Sequence, residues 1–212
     1  MDMKSLFQLN PLLAIMRNVE LEKTIDYAEA IVNGGVKVFE VAMNSEHACE
    51  QIKMLREHFT DDVVIGAGTT ITVERAKDAI ASGASFLLSP STDPEVLDYC
   101  AERQIPLMPG VMTPSDVANC VRHGFHVLKL FPAGDLPAGY VKSLKGPLDD
   151  TEYVAIGGVT EDNIGSFFRQ GYLGVGLGSA ILPKQHVASG NWEACSEYVR
   201  MLLAKIQEGR RC

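Results

Sequence analysis

Much of what this chain could do is excluded by what it lacks. No apolar run approaches the ~20 residues that span a bilayer as a helix, so no transmembrane segment is expected. Positive charge is short: 19 Lys and Arg stand against 27 Asp and Glu, a formal net charge of −8. A nucleic-acid or anionic-membrane partner wants a basic face, so neither is expected. Any anionic substrate must be held by local devices, such as one Arg or Lys or backbone N–H groups. Cysteines are few and scattered (Cys49, Cys100, Cys120, Cys195, Cys212), odd in number and without a C-x-x-C pair. Neither a disulfide framework nor a zinc site is indicated. The five histidines show no metal-ligand spacing either, and neither metal nor cofactor is expected. Asp2, Gln8, Asn10, Pro11 and Arg17 break up any signal-peptide core near the N-terminus, so a cytoplasmic location is the expectation.

What is present is a regular alternation. The 212 residues, 46% of them apolar, suit one globular domain over 1–212. Short apolar runs fall at Leu12–Met16, Val36–Val41, Val63–Ile65 leading into Gly66-Ala67-Gly68-Thr69, Phe86–Leu88, Pro106–Met108, Val127–Phe131, Tyr153–Ile156 and Leu173–Leu177. These eight begin 20 to 27 residues apart, the length of a strand, a helix and two short loops. Glycines at Gly34-Gly35, Gly83, Gly124 and Gly171 close helices just before strands. Asp93-Pro94 and Thr113-Pro114 read as helix starts, a capping residue followed by Pro. Eight strand–helix units predict an α/β fold, a closed (β/α)8 barrel. The rival, an open doubly wound sheet, would want G-x-G-x-x-G after its first strand. Here Gly174, Gly176 and Gly178 alternate in the last strand instead.

In such barrels the chemistry sits at the C-terminal ends of the strands. Lys129 lies inside the apolar run Val127–Phe131, where an ammonium is costly and desolvation lowers its pKa. A neutral amine is what imine chemistry needs. The plainer alternative is a lysine whose stem packs while its head reaches water, and Lys37, near the start of its strand, reads that way. Glu40 is equally costly to bury in Val38–Val41. It is either a proton carrier facing Lys129 across the barrel or the structural partner of a cation such as Arg17. Arg17, ending the first strand, could hold a carboxylate in its planar fork. Gly157-Gly158, with Thr160 as the expected cap of the next helix, and Gly178-Ser179 could let backbone approach a phosphate. They could equally serve tight turns.

Taken together, these segments resemble a known family. Glu40-Val41-x-x-Asn44, Gly66-Ala67-Gly68-Thr69, Ser89-Pro90, Met108-Pro109-Gly110-Val111-Met112-Thr113-Pro114, Leu128-Lys129-Leu130-Phe131-Pro132, Lys145-Gly146-Pro147, Gly157-Gly158-Val159 and Gly176-x-Gly178-Ser179 occur in family order over nearly the whole chain. They are similar to the 2-keto-3-deoxy-6-phosphogluconate / 4-hydroxy-2-oxoglutarate aldolases, a class I family that includes 2-keto-3-deoxy-6-phosphogalactonate aldolases. The resemblance implies a homotrimeric, metal-independent (β/α)8 barrel. It makes Lys129 the Schiff-base lysine and Glu40 the general acid/base. It places Thr69 at the pyruvyl group, Pro90 and Phe131 at the substrate, and Gly157, Gly158, Gly178 and Ser179 at the phosphate.

Two positions depart from the phosphogluconate pattern. Some members carry Arg four residues after the catalytic Glu, where this chain has Asn44; others carry Arg at the end of strand one, as at Arg17 here. Ile156 stands before the glycine pair where those enzymes usually have Thr; galactonate-type members look similar in having both Asn after the Glu and an aliphatic residue before the glycine pair, so the sugar stereochemistry is left open. The implied reaction is reversible cleavage of a 2-keto-3-deoxy-6-phospho sugar acid to pyruvate and glyceraldehyde 3-phosphate. Cleavage of 4-hydroxy-2-oxoglutarate to pyruvate and glyoxylate is the nearest alternative. A sugar-phosphate isomerase or epimerase barrel, or a non-catalytic binding barrel, are alternatives of other classes.

Overall fold

The computed structural model describes residues 2–59 and 62–211, and Cys212 lies outside them. A short helix α1 (Met3–Leu9) precedes strand β1 (Leu12–Met16). There follow α2 (Thr24–Asn33), β2 (Val38–Ala42), α3 (Ala48–His58), β3 (Val64–Gly68), α4 (Val73–Ala81), β4 (Leu87–Leu88) and α5 (Pro94–Glu102). The second half runs β5 (Leu107–Met108), β6 (Gly110–Val111), α6 (Pro114–Arg122), β7 (Val127–Leu130), α7 (Tyr140–Lys145) and β8 (Glu152–Ile156). It ends with α8 (Ile164–Arg169), β9 (Gly174–Leu177), α9 (Lys184–Ser189) and α10 (Trp192–Arg211).

All pairings are parallel, in the order β5-β4-β3-β2-β1-β9-β8-β7-β6. The two ends of that list, β5 and β6, are separated in the chain only by Pro109, so the sheet curls round into a barrel. Nine segments therefore make eight staves. Pro109 has no N–H for a ladder, but its carbonyl accepts the Lys129 N–H at 2.9 Å and ties the split stave to β7.

Alternation sorts the side chains into two layers. Leu12, Ala14 and Met16 of β1 face the helices, as do Phe39 and Val41, Leu128 and Leu130, and Tyr153 and Ala155. Leu13, Ile15, Val38, Val127, Val154 and Ile156 fill the barrel interior. Glu40 and Lys129, each one residue from an outward-facing neighbour, therefore point inward. The interior is plugged from the strand N-terminal end by Met3, Leu6 and Phe7 of α1. Gly174 makes room for that plug: a Cβ there would lie 2.8 Å from Phe7 Cδ1. Asp2 caps the helix, and Met3, Leu6 and Phe7 stand at helical spacing, but nothing local announces that it plugs the barrel.

The expected punctuation is largely present. Gly35, Gly83, Gly124 and Gly171 all have positive φ. Asp93 caps α5 by accepting the Val96 N–H at 3.1 Å, and Thr113 with Asp116 forms a capping box on α6. Thr160 is a correction. It does not cap α8, which begins at Ile164 behind Asn163; the Thr160 N–H instead donates to Asn163 Oδ1 at 2.8 Å. An Asx-type loop competes with the helix for that position. Cys49, Cys100, Cys120 and Cys195 are free thiols. Lys37 reaches Asp62 at 2.5 Å with its head half exposed.

Candidate active site

The two ionisable groups of the barrel interior have little contact with water. Glu40 is 0% exposed, and neither carboxylate oxygen has a hydrogen-bond partner. Lys129 is 3% exposed, with Nζ 5.2 Å from the centroid of the Phe131 ring. Burial pushes the Glu40 carboxyl above the usual carboxylate range, against the pull of the Lys129 and Arg17 charges. Burial likewise pushes the Lys129 amine below its ordinary value; Glu40 opposes that shift and Arg17 adds to it. Both shifts favour a proton on the carboxyl and a lone pair on the amine, the protonation states needed to attack a carbonyl.

Register and glycine packing put them there. Glu40 pairs with Ile15 of β1 and Gly66 of β3, and Lys129 with Gly110 of β6 and Val154 of β8. The Glu40 carboxyl lies directly over Gly68: a Cβ at that residue would fall 1.6 Å from Oε1. Sequence reasoning noted Gly66-Ala67-Gly68-Thr69 as a strand end but missed that Gly68 clears the space for Glu40. A glycine beside an acid on the neighbouring strand is a signal only once register is known.

At the C-terminal end of the strands opens a cleft of about 360 Å3, whose lining includes Phe131 but not Glu40, Lys129 or Thr69. The structure brings Arg17, Phe131, Ile156, Gly157, Gly158, Gly178 and Ser179 together on its walls. Arg17 Nη2 donates to Thr69 Oγ1 at 3.4 Å, joining the ends of β1 and β3. Asn44, exposed after β2, and Pro90, whose carbonyl carbon lies 2.3 Å from where a Gly110 Cβ would be, are not on these walls.

The glycines divide by role. Gly157 (φ 86°) and Gly158 (φ 73°) are required by conformation and by the close passage of Phe131 and Gly134. The nearest atom to a Cβ at Gly178 would be Ile15 Cγ2, 4.0 Å away, so there glycine keeps space open rather than relieving a clash. With α8 beginning at Ile164 and α9 at Lys184, loop backbone rather than a helix end faces the cleft at Gly157-Gly158 and at Gly178-Ser179. Among the described residues, no group of three His, Cys, Asp or Glu is placed to hold a metal. Among the same residues, no helix is long and apolar enough to cross a membrane.

A parallel barrel that buries an amine and a carboxyl and opens an Arg-lined cleft at its strand ends defines a class: enzymes that work on a carbonyl at the top of a (β/α)8 barrel. Residues 3–198 match the family model described as KDPG and KHG aldolase, and the chain belongs to that aldolase family. It is 30% identical over 203 residues to a 2-dehydro-3-deoxy-phosphogluconate aldolase of Pseudomonas aeruginosa, covering 95% of this chain and 90% of that one. It is 28% identical over 170 residues to a 2-dehydro-3-deoxy-6-phosphogalactonate aldolase of Escherichia coli, covering 80% and 83%. Among solved structures it is similar to a KDPG aldolase of Legionella pneumophila holding pyruvate as a covalent carbinolamine. That likeness has a TM-score of 0.87 at 30% identity and covers 95% of this chain and 98% of the other. The chain is thus an aldehyde-lyase by family.

Proposed function

We propose that this aldolase cleaves a 2-keto-3-deoxy-6-phospho sugar acid to pyruvate and glyceraldehyde 3-phosphate through an imine on Lys129. The observation that carries the reading is the buried pair itself, with Lys129 depressed and Glu40 raised in a barrel with an anion-ready cleft at its strand ends. Lys129 Nζ attacks the C2 carbonyl, and the Glu40 carboxyl gives its proton to the hydroxyl that leaves as water, so that a protonated imine and a Glu40 carboxylate remain. The C3–C4 bond breaks, and its electrons flow into that cation to form an enamine. Glu40, directly or through a water, takes the C4 hydroxyl proton as the aldehyde departs. The enamine is protonated at C3, and hydrolysis frees pyruvate and the amine. Positive charge developing in the water-poor barrel is where most of the rate enhancement arises. Arg17 and Thr69 hold the keto-acid carboxylate, with Phe131 as a further substrate contact. The loops at Gly157-Gly158 and Gly178-Ser179 take the phosphate. Family resemblance also supports a cytoplasmic homotrimer, which sedimentation at three chain masses would test.

The direct test supplies both C4 epimers of the phosphorylated acid and follows pyruvate release. Ile156 lines the cleft and offers no hydroxyl to tell the epimers apart. A net hydrogen bond is worth about 0.5–1.5 kcal/mol, at most roughly tenfold. Specificity constants are expected to lie within about tenfold of each other, or to favour the galactonate form, and Ile156→Thr should shift the ratio toward gluconate. Release from neither epimer would overturn the function. A preference for gluconate by orders of magnitude would overturn the role of Ile156.

A further inference from the structure

The turn that carries Thr69 is held by a residue that the chemistry above leaves unused. Thr69 is β-branched and sits at φ +58°, in the left-handed region such residues avoid. A strained conformation persists only where its surroundings over-determine it, and such residues gather at working sites. Here the surroundings are explicit. On one side, the Met43 N–H donates to the Gly68 carbonyl at 2.8 Å. On the other, the Thr70 N–H and hydroxyl both donate to the Leu88 carbonyl, at 3.1 and 2.7 Å. The Thr69 carbonyl itself accepts from the Ile71 N–H at 3.0 Å and from Arg75 Nη1 at 3.2 Å. The outcome is a Thr69 hydroxyl that meets Arg17 Nη2 at 3.4 Å.

Arg75 is the only charged member of this clamp, and it is misplaced by the rules of its own helix. It lies in the first turn of α4, its N–H donating to Thr72 Oγ1 at 3.3 Å. A cation there opposes the positive end of the helix dipole. Its side chain leans back toward the helix N-terminus, as helical side chains do, and so covers the 69–72 turn.

We propose that Arg75 is a positioning residue for the carboxylate end of the site. By gripping the Thr69 carbonyl it keeps the backbone turned so that the Thr69 hydroxyl and Arg17 stay together. It thereby raises affinity for a 2-oxo carboxylate that it does not touch. The inference rests on the proposed reading of Arg17 and Thr69 as the groups that hold the keto acid. It predicts a selective defect: binding of a carbonyl bearing a carboxylate weakens, while the reactivity of Lys129 toward carbonyls in general does not change.

The test measures borohydride reduction at Lys129 against concentration, with pyruvate and with hydroxyacetone, a ketone lacking the carboxylate, in the wild type and in Arg75→Met. Losing one charge-assisted hydrogen bond should raise the half-saturating pyruvate concentration about three- to tenfold. The final yield at Lys129 and the hydroxyacetone curve should be unchanged. An unmoved pyruvate curve, or an equal shift for both carbonyls, would overturn the proposal. If Arg75→Met does not fold, Arg75→Gln is held to the same two outcomes. Failure of the wild type itself to be reduced with pyruvate is a separate result, which removes the imine reading and this inference with it.

Discussion

A carboxyl with no hydrogen-bond partner and an amine almost sealed from water are expensive residues to keep in a barrel core. The pH dependence of that cost has a definite sign. Between the ordinary 4.5 and its raised folded value, Glu40 holds a proton that the unfolded chain has lost, so stability falls as pH rises through that window. Between its depressed folded value and the ordinary 10.5, Lys129 has lost a proton that the unfolded chain keeps, so stability rises with pH through that window. Near neutral pH, above the ordinary Glu40 value and below the ordinary Lys129 value, both costs act together. The double variant Glu40→Leu, Lys129→Met should therefore be inactive yet more stable by about 1–4 kcal/mol near neutral pH, with less gain in acid and in alkali. Urea unfolding across pH checks this, and a double variant less stable at every pH would contradict it. Gly68 adds a companion prediction. Since a methyl there would overlap Glu40 Oε1 at 1.6 Å, Gly68→Ala should cut turnover about 10²-fold or more by displacing the proton carrier. Near-normal turnover would show that Glu40 works from another position.

At the scale of elements, legibility tracked how local the cause was. The caps at Asp93 and Thr113 and the positive-φ glycines were readable because each is settled within a few residues. The plug α1 was not, because its role is set by a cavity whose walls come from the whole barrel. The division of the fifth stave at Pro109 depends on pairing with β4 on one side and β7 on the other, which no local pattern encodes. Thr160 misled because a capping residue is also a good loop residue, and Asn163 took the loop. The plug gives a test that separates fold from chemistry. Phe7 is fully buried at the end opposite the cleft. Phe7→Ala should destabilise the protein by about 3–5 kcal/mol while leaving kcat/KM of the folded fraction within about twofold. A large loss of kcat/KM in fully folded protein would mean that the floor is coupled to the site.

For the whole molecule, eight evenly spaced apolar runs, with no G-x-G-x-x-G after the first, anticipated the barrel rather than an open doubly wound sheet. The costly burial of Lys129 and Glu40 was legible from the apolar runs that hold them. The site was least legible where position depends on register or loop path: Gly68 lies under Glu40 unannounced, and Asn44 and Pro90 stand away from the cleft that gathers Arg17, Ile156 and the glycine pairs. With a net charge of −8, the molecule offers anions little general attraction. On the proposed reading, binding comes from the cleft that holds Arg17 and the chemistry from the Lys129 amine. The measurement that tests this most directly is reduction with borohydride in the presence of pyruvate, followed by mass spectrometry of the digested protein. The account predicts loss of activity with one reduced pyruvyl group per chain, on Lys129. An adduct on any other lysine, or none at all, would contradict it.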